Sequence, residues 1–224
     1  MAKSRETAVA RRTRALEVVR RLKRRYRDPE CALVHEGPLQ LLVATILSAQ
    51  CTDVRVNMVT PALFARFPTA EAFARADIGE IEKLIRSTGF FRSKAKSIQE
   101  ACRDIVERFG GRVPVELDAL ISLRGVGRKT ANVVRGNAFD IPGLVVDTHV
   151  GRLSRRLGLT RHTDPVKVEF ELMGLLPEDE WTNFSHRLIF LGRDTCAARK
   201  PRCEGCILAD ICPRVGVKSG PGLK

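Results

Sequence analysis

The chain has 224 residues, of which 44% are hydrophobic and 29% are charged, a balance that fits a globular protein and excludes a disordered one. Its longest uncharged stretch, residues 37–52, is 16 residues long and contains two glutamines, so we expect no membrane span. Because residues 1–30 are charged almost throughout, we also expect no secretory signal and a cytoplasmic, nucleoid-associated protein.

The formal net charge is +13 at pH 7, which points to a polyanionic partner, most often nucleic acid. The basic excess is uneven, since residues 1–30 carry 11 Lys or Arg against 4 Asp or Glu. Residues 121–160 carry 7 against 2, and residues 191–224 carry 7 against 3. The alternative is a solvated surface that maintains solubility, but the clustering favours nucleic acid.

Apolar residues recur with a helical period along almost the whole chain. The predicted helices cover residues 10–27, 38–50, 93–109, 118–123, 130–139, 150–157, 165–175 and 181–191. Pro29 ends the first of these stretches, and Gly110 with Gly111 closes the third. Only residues 144–146 suggest a strand, so the predicted fold class is all-α. Residues 213–224, rich in Gly and Pro, are predicted to form a flexible tail.

Residues 123–131 (LRGVGRKTA) lie between two predicted helices. Gly125 and Gly127 permit positive φ and a close approach of the backbone to a ligand. Free N–H groups at the start of the second helix attract an anion. The segment therefore predicts the hairpin of a helix-hairpin-helix, in which Gly125, Val126, Gly127 and Arg128 grip DNA phosphate. An ordinary turn between two helices is the alternative.

Lys129 lies in this hairpin and has two interpretations. It is either a counter-charge to a bound phosphate or, when neutral, a nucleophile toward a sugar carbon. The helix start, the neighbouring Arg128 and burial would each favour a neutral amine. The pattern alone favours the counter-charge.

Asp147 follows the apolar residues 143–146 and precedes Thr148 and His149. Asp is a common N-cap, so the pattern alone predicts a capping residue. A carboxylate held at the edge of a pocket is the functional alternative, and it is compatible with capping.

Four of the seven cysteines fall within seventeen residues, separated by six, two and five residues; they are Cys196, Cys203, Cys206 and Cys212. With no export signal expected, we interpret them as a metal site rather than as disulfides. Tetrahedral zinc and a [4Fe–4S] cluster both fit four thiolates. Because only the middle pair is closely spaced, the pattern favours iron–sulfur.

The loop between the first two of these cysteines contains Arg199, Lys200 and Arg202, which are candidate phosphate contacts. The scattered Cys31, Cys51 and Cys102 are interpreted as small buried hydrophobic residues.

Taken together, several segments resemble the endonuclease III family of base-excision DNA glycosylases. These are residues 123–134, residues 146–149 (VDTH), the cysteine spacing, residues 47–50 (LSAQ) with 52–53, and residues 89–95 (GFFRSKA). The resemblance extends over residues 15–212.

The resemblance implies two α-helical lobes with a cleft between them. One lobe is a six-helix barrel over residues 31–141 that contains the hairpin, and the other joins residues 1–30 to residues 142–212 and carries the [4Fe–4S] cluster.

The resemblance also assigns the chemistry and reverses the two interpretations above. It makes Lys129 the nucleophile and Asp147 its acidic partner, in a bifunctional glycosylase and AP lyase that removes oxidised pyrimidines. The partner would be damaged double-stranded DNA, bound by a monomer with no membrane contact. The target nucleotide would leave the stack. Gln50 would then fill the vacated space, and the loop of Phe90, Phe91 and Arg92 would wedge the stack.

Two positions and two alternatives stay open. His149 either lines the pocket or simply packs. Arg124 occupies a position where the family usually has proline, which removes a restraint on φ and adds a cation near phosphate. One alternative is a glycosylase of the same fold that acts on another lesion, such as a pyrimidine dimer or a mismatch. A non-catalytic DNA-binding or redox-sensing module is the other.

Overall fold

The structure is a computed structural model that describes residues 6–217, and all regular secondary structure within them is helical. The α-helices are α1 (Ala8–Arg25), α2 (Pro38–Leu47), α3 (Asp53–Arg66), α4 (Ala70–Arg75), α5 (Ile78–Ile85), α6 (Phe91–Phe109), α7 (Leu117–Ile121), α8 (Arg128–Ala138), α9 (Thr148–Arg156), α10 (Pro165–Met173) and α11 (Trp181–Asp194). Two short 3-10 turns, Arg86–Thr88 and Glu178–Glu180, complete them. The all-α prediction is confirmed for this part of the chain, and residues 144–146 form no strand.

The chain divides into two compact units, each with its own hydrophobic core. One unit is residues 31–141 and contains α2 to α8. The other combines residues 1–30 with residues 142–224 and contains α1 and α9 to α11. Within the described residues, no helix is long and apolar enough to cross a membrane.

The unit of residues 31–141 is built around α2, in which every residue from Leu41 to Leu47 is buried. A helix that is apolar on all sides is stable only when other elements surround it. Helices α3, α6 and α8 pack against it. The longest helix, α6, buries one face that includes Ile98, Cys102 and Ile105, and this face also covers α4 and α5.

In the other unit, α1 joins the two segments of the chain. Its buried face packs into the same core as Phe184 and Leu188 of α11. Ion pairs then connect the basic face of α1 to later residues, with Arg21 2.5 Å from Asp210 and Lys23 2.6 Å from Glu180.

The helix ends differ from the sequence prediction in informative ways. Helix α2 ends at Leu47, so Gln50 lies in the turn beyond it rather than in the helix.

Of the predicted tail, residues 213–217 are described, and the Val215 N–H donates to the Arg156 carbonyl at 3.1 Å. Residues 218–224 of that tail lie outside the described residues.

Candidate active site and cysteine segment

The hairpin between α7 and α8 is a tight turn fixed by two buried side chains, Leu123 and Val126, which are 2% and 4% exposed. The Val126 N–H donates to the Leu123 carbonyl at 3.2 Å. Gly125 has φ +76°, and a Cβ there would lie 2.7 Å from Cβ of Ser97 on α6. The turn therefore needs glycine both for its backbone conformation and for its close approach to α6.

Helix α8 begins directly after this turn, and no side chain caps its start at Gly127. The N–H groups of an uncapped first turn are the part of a helix that binds anions best. Lys129 is the second residue of α8 and is exposed, so its amine is accessible on the same turn. The segment is thus suited to place a basic side chain beside a bound phosphate.

Arg124 has a partner that the sequence did not suggest. Its Nη1 lies 3.4 Å from Oε2 of Glu100 on α6, so the guanidinium joins the hairpin to that helix. The side chain is still 57% exposed, and an exposed ion pair of this kind is weak. The expected extra cation near phosphate is therefore partly neutralised by Glu100.

Asp147 is the N-cap of α9, and its Oδ1 accepts a hydrogen bond from the Val150 N–H at 2.8 Å. The apolar approach to it is fastened to α11, because the Val145 N–H donates to Oγ of Ser185 at 2.9 Å. Leu144 and Val145 are buried. The carboxylate thus lies at a fixed point, with one oxygen engaged and the side chain half-buried.

His149 lies on the first turn of α9 and is half-buried. Its Nδ1 is 3.1 Å from Nη2 of Arg152, and the ring packs so closely on α11 that a Cβ on Gly192 would lie 2.5 Å from Nδ1. Burial lowers the pKa of His149, against the opposing charge of Asp147. The ring is therefore tightly packed beside Asp147.

Gln50 and Phe90 share an unusual backbone conformation. Gln50 has φ 52° in the turn after α2, and Phe90 has φ 48° immediately before α6. Both residues are exposed, and the Phe90 side chain is 67% exposed. Its neighbour Phe91 packs against the core, while the Arg92 guanidinium lies 5.6 Å from the centre of the Phe91 ring. Of the two phenylalanines, Phe90 is therefore the one available for contact with a ligand.

The four C-terminal cysteines line one cavity, together with Arg156 of α9. Nη1 of Arg156 lies 3.2 Å from Sγ of Cys196, and Sγ of Cys212 lies 3.5 Å from the Arg156 carbonyl. Burial raises the pKa values of Cys206 and Cys212. Among residues 6–217, no three His, Cys, Asp or Glu side chains converge closely enough to hold a single metal ion.

The other basic and sulfur-containing residues are placed as follows. Arg199, Lys200 and Arg202 are exposed, and Lys200 has φ 50°. Cys102 is buried, and burial raises its pKa to about 12. Cys31 and Cys51 are only half-buried.

Comparison with known proteins shows the family to which the chain belongs. The model of the HhH-GPD superfamily of base excision DNA repair proteins matches residues 43–178. Endonuclease III of Synechocystis sp. is 58% identical over 205 residues, which cover 91% of this chain and 94% of the relative. The chain belongs to the endonuclease III family.

Two solved structures of endonuclease III give the same result for the fold. One is a non-covalent complex with DNA and the other a trapped covalent intermediate with DNA. Each matches with a TM-score of 0.86 at 42% identity, over 91% of this chain and 95% and 96% of the respective structures. The resemblance inferred from the sequence motifs is thus confirmed, as is the helix-hairpin-helix glycosylase fold.

Three basic residues that the sequence did not single out make polar contacts with segments that carry predicted site residues. Arg152 and Arg156 of α9 both donate to the Cys196 carbonyl, at 3.1 and 3.3 Å. Lys94 of α6 is buried with its amine bonded to two backbone carbonyls. A signal for Lys94 was present, because it shares the apolar helix face of Ile98 and Ile105.

Proposed function

We propose that this base excision repair enzyme, a DNA glycosylase with AP lyase activity, removes oxidised pyrimidines by nucleophilic attack of Lys129. The observation that carries the proposal is an exposed lysine on the uncapped first turn of α8, directly after the hairpin, in a chain of the endonuclease III family. The trapped covalent intermediate of an endonuclease III supports a covalent mechanism.

The hairpin binds a phosphate of damaged double-stranded DNA through the N–H groups at the start of α8. This contact carries no sequence information, which suits an enzyme that must find lesions in any sequence. The exposed cations Arg199, Lys200 and Arg202 supply a second phosphate contact. Arg128 adds charge at the hairpin itself.

The target nucleotide is turned out of the duplex, because its C1′ is unreachable within the stack. Gln50 fills the space that the nucleotide leaves, and Phe90 wedges the neighbouring stack. Both residues have left-handed backbone conformations, which cost of order 1–3 kcal/mol and are typically kept at functional sites. This strain fits a role of both residues in binding DNA.

The chemistry then proceeds in two steps at the sugar. The neutral Nζ of Lys129 forms a bond to C1′ while the bond from C1′ to the base breaks, and the base leaves with the electron pair and gains a proton. Asp147 stabilises the positive charge that develops on the sugar. Opening of the sugar ring, in which the C1′–O4′ bond breaks and O4′ takes a proton, gives a Schiff base between Lys129 and C1′. Loss of a proton from C2′ of this Schiff base then expels the 3′ phosphate by β-elimination.

Cys196, Cys203, Cys206 and Cys212 would hold a [4Fe–4S] cluster. Four thiolates could bind either zinc or a cluster, and the spacing of six, two and five residues, in which only the middle pair is close, favours the cluster. The four cysteines line a common cavity, which fits a group that binds all four thiolates. With a cluster bound, the four cysteines would be held together, and the loop of basic residues between the first two would be kept in place.

The enzyme acts as a monomer on chromosomal DNA in the cytoplasm. The proposed activity is tested on a panel of duplexes, each with a single oxidised pyrimidine, pyrimidine dimer or mismatch, assayed with and without alkaline treatment. We expect strand cleavage at the oxidised pyrimidine without alkali. Faster processing of the dimer or mismatch would overturn the lesion assignment, and cleavage only after alkali would overturn the lyase step. Binding without base removal would indicate a non-catalytic module.

A further inference from the structure

Lys94 is a buried cation that takes no part in the chemistry above. Lys94 is 5% exposed, and burial lowers the pKa of its ammonium group. Nζ donates to the carbonyl of Leu47 at 2.8 Å and to the carbonyl of Thr88 at 2.8 Å. Burial of an ammonium group costs free energy unless hydrogen bonds compensate for the lost water. The presence of Lys94 in the core of the unit of residues 31–141 therefore requires an explanation.

The two acceptors lie at the roots of the two loops proposed to enter DNA. Leu47 is the last residue of α2, three residues before Gln50, and its carbonyl is one of those that a helix end leaves without a partner. Thr88 ends a 3-10 turn two residues before Phe90. One ammonium therefore joins the segment that leads to Gln50 with the segment that leads to Phe90.

The backbone of Lys94 strengthens the same link. Its N–H donates to the Phe90 carbonyl at 3.0 Å, in the first turn of α6. A single residue thus bonds to Phe90 directly, to Thr88 before it, and to the end of α2. A charge-assisted hydrogen bond is about twice as strong as a neutral one, so these contacts can hold loops whose residues are conformationally strained.

We propose that Lys94 is a positioning residue that fixes the Gln50 and Phe90 loops relative to each other, so that both side chains enter the DNA stack in one step. The proposal rests on the insertion roles given to Gln50 and Phe90 above. Without the link, each loop would still form, but the two would no longer keep a common spacing. The defect would therefore appear where DNA must be opened and less where the lesion is already accessible.

The test compares K94M with K96M, which removes an exposed lysine from the same helix. For each protein, kcat/KM is measured on an abasic site in duplex DNA and on the same site in a single strand. We expect K94M to lower the ratio of duplex to single-strand activity by about tenfold or more, since small misplacements of positioning groups have effects of this size. K96M should leave the ratio at the wild-type value. An equal loss on both substrates in K94M would overturn the proposal, because a general loss of structure acts on both.

A second measurement removes the side chains through which Lys94 is argued to act. In a Q50A/F90A background, K94M should change the duplex rate by less than about twofold, because the effects of linked residues are not additive. The full loss persisting in that background would overturn the proposal. If circular dichroism shows K94M to be unfolded, K94Q, which keeps a shorter donor, is measured instead. Borohydride trapping by the wild type distinguishes failure of the proposed function from failure of the role of Lys94. A wild type that forms no trapped adduct would contradict the proposed function and not the role of Lys94.

Discussion

Arg156 donates a hydrogen bond from Nη1 to Sγ of Cys196, at a nitrogen–sulfur distance of 3.2 Å. The same guanidinium donates to the carbonyls of Ala197 and Ala198 at 2.8 and 2.9 Å. It therefore fixes the first cysteine of the segment and the start of the basic loop that follows. Since Arg156 ends the helix that Asp147 caps, one helix connects the cysteine segment to the proposed catalytic carboxylate.

We expect R156M to weaken the binding of the proposed iron–sulfur cluster. Removing such an outer partner of a metal ligand typically costs 10- to 100-fold in affinity, so iron loss in air should be about tenfold faster or more. Visible absorption and iron content during exposure to oxygen and a chelator measure this. R155M, which alters the adjacent arginine of α9, is the control. Equal loss rates in both variants would show that the contact with Cys196 does not retain the cluster.

Substitutions at Asp147 should separate capping from catalysis. Asn caps helices as well as Asp, so D147N should keep the melting temperature, whereas D147A should lose about 1 kcal/mol of stability. Both variants lack the negative charge, so both should lose on the order of 100-fold in the rate of base removal. Thermal melts and single-turnover rates measure the two effects. A D147N enzyme with wild-type turnover would leave Asp147 as a cap only.

The hairpin glycines should differ in how they tolerate alanine. G125A places a methyl group against Ser97 and a non-glycine residue at φ +76°, which costs roughly 1–2 kcal/mol for the conformation alone. G127A meets nothing within 4 Å and should fold normally. If the hairpin binds phosphate, both should bind DNA more weakly, G127A because its methyl group lies where the phosphate approaches. Wild-type affinity in G127A would place the phosphate elsewhere.

Acid should weaken the unit that contains α1 and α11 through Glu180. Burial raises the pKa of this carboxyl, but hydrogen bonds from Lys23 and Arg187 outweigh burial and hold it below the usual 4.5. A lowered folded-state pKa gives stability that is present above the unfolded value and lost as pH falls through the folded value. The difference in melting temperature between wild type and E180Q should therefore be largest above pH 4.5 and shrink in acid. E178Q, at an exposed acid of the same turn, should show no such trend, and a constant difference for E180Q would refute the assignment.

Much of this architecture was predictable from local sequence rules, and the exceptions have identifiable causes. Capping residues and helical periodicity located α1, α6 and the helices from α7 onward to within a few residues. Helix α3 was not predicted, since Pro61 lies inside it and proline is normally read as a helix breaker. Helices α4 and α5 contain 6 and 8 residues, too few for a periodic pattern to stand out.

Some parts of the candidate site were predictable from the sequence and others were not. The hairpin and the cysteines are contiguous motifs, so their spacing alone indicates a function. The contacts of Lys94 and Arg156 depend on tertiary packing and could not be read from spacing. Part of the basic charge of residues 1–30, interpreted as a sign of nucleic acid, is paired with carboxylates of the same chain, since Arg11 pairs with Glu171 and Arg21 with Asp210.

The most direct test of the account is borohydride trapping on a duplex with a single oxidised pyrimidine, comparing wild type with K129Q. Reduction of a Schiff base leaves the protein covalently bound to DNA, and only an amine nucleophile can form one. We predict a trapped adduct for the wild type and none for K129Q, with K129Q still bound to the duplex in a gel-shift assay. Trapping by K129Q at the wild-type level would show that another amine attacks C1′, and the central claim would be wrong.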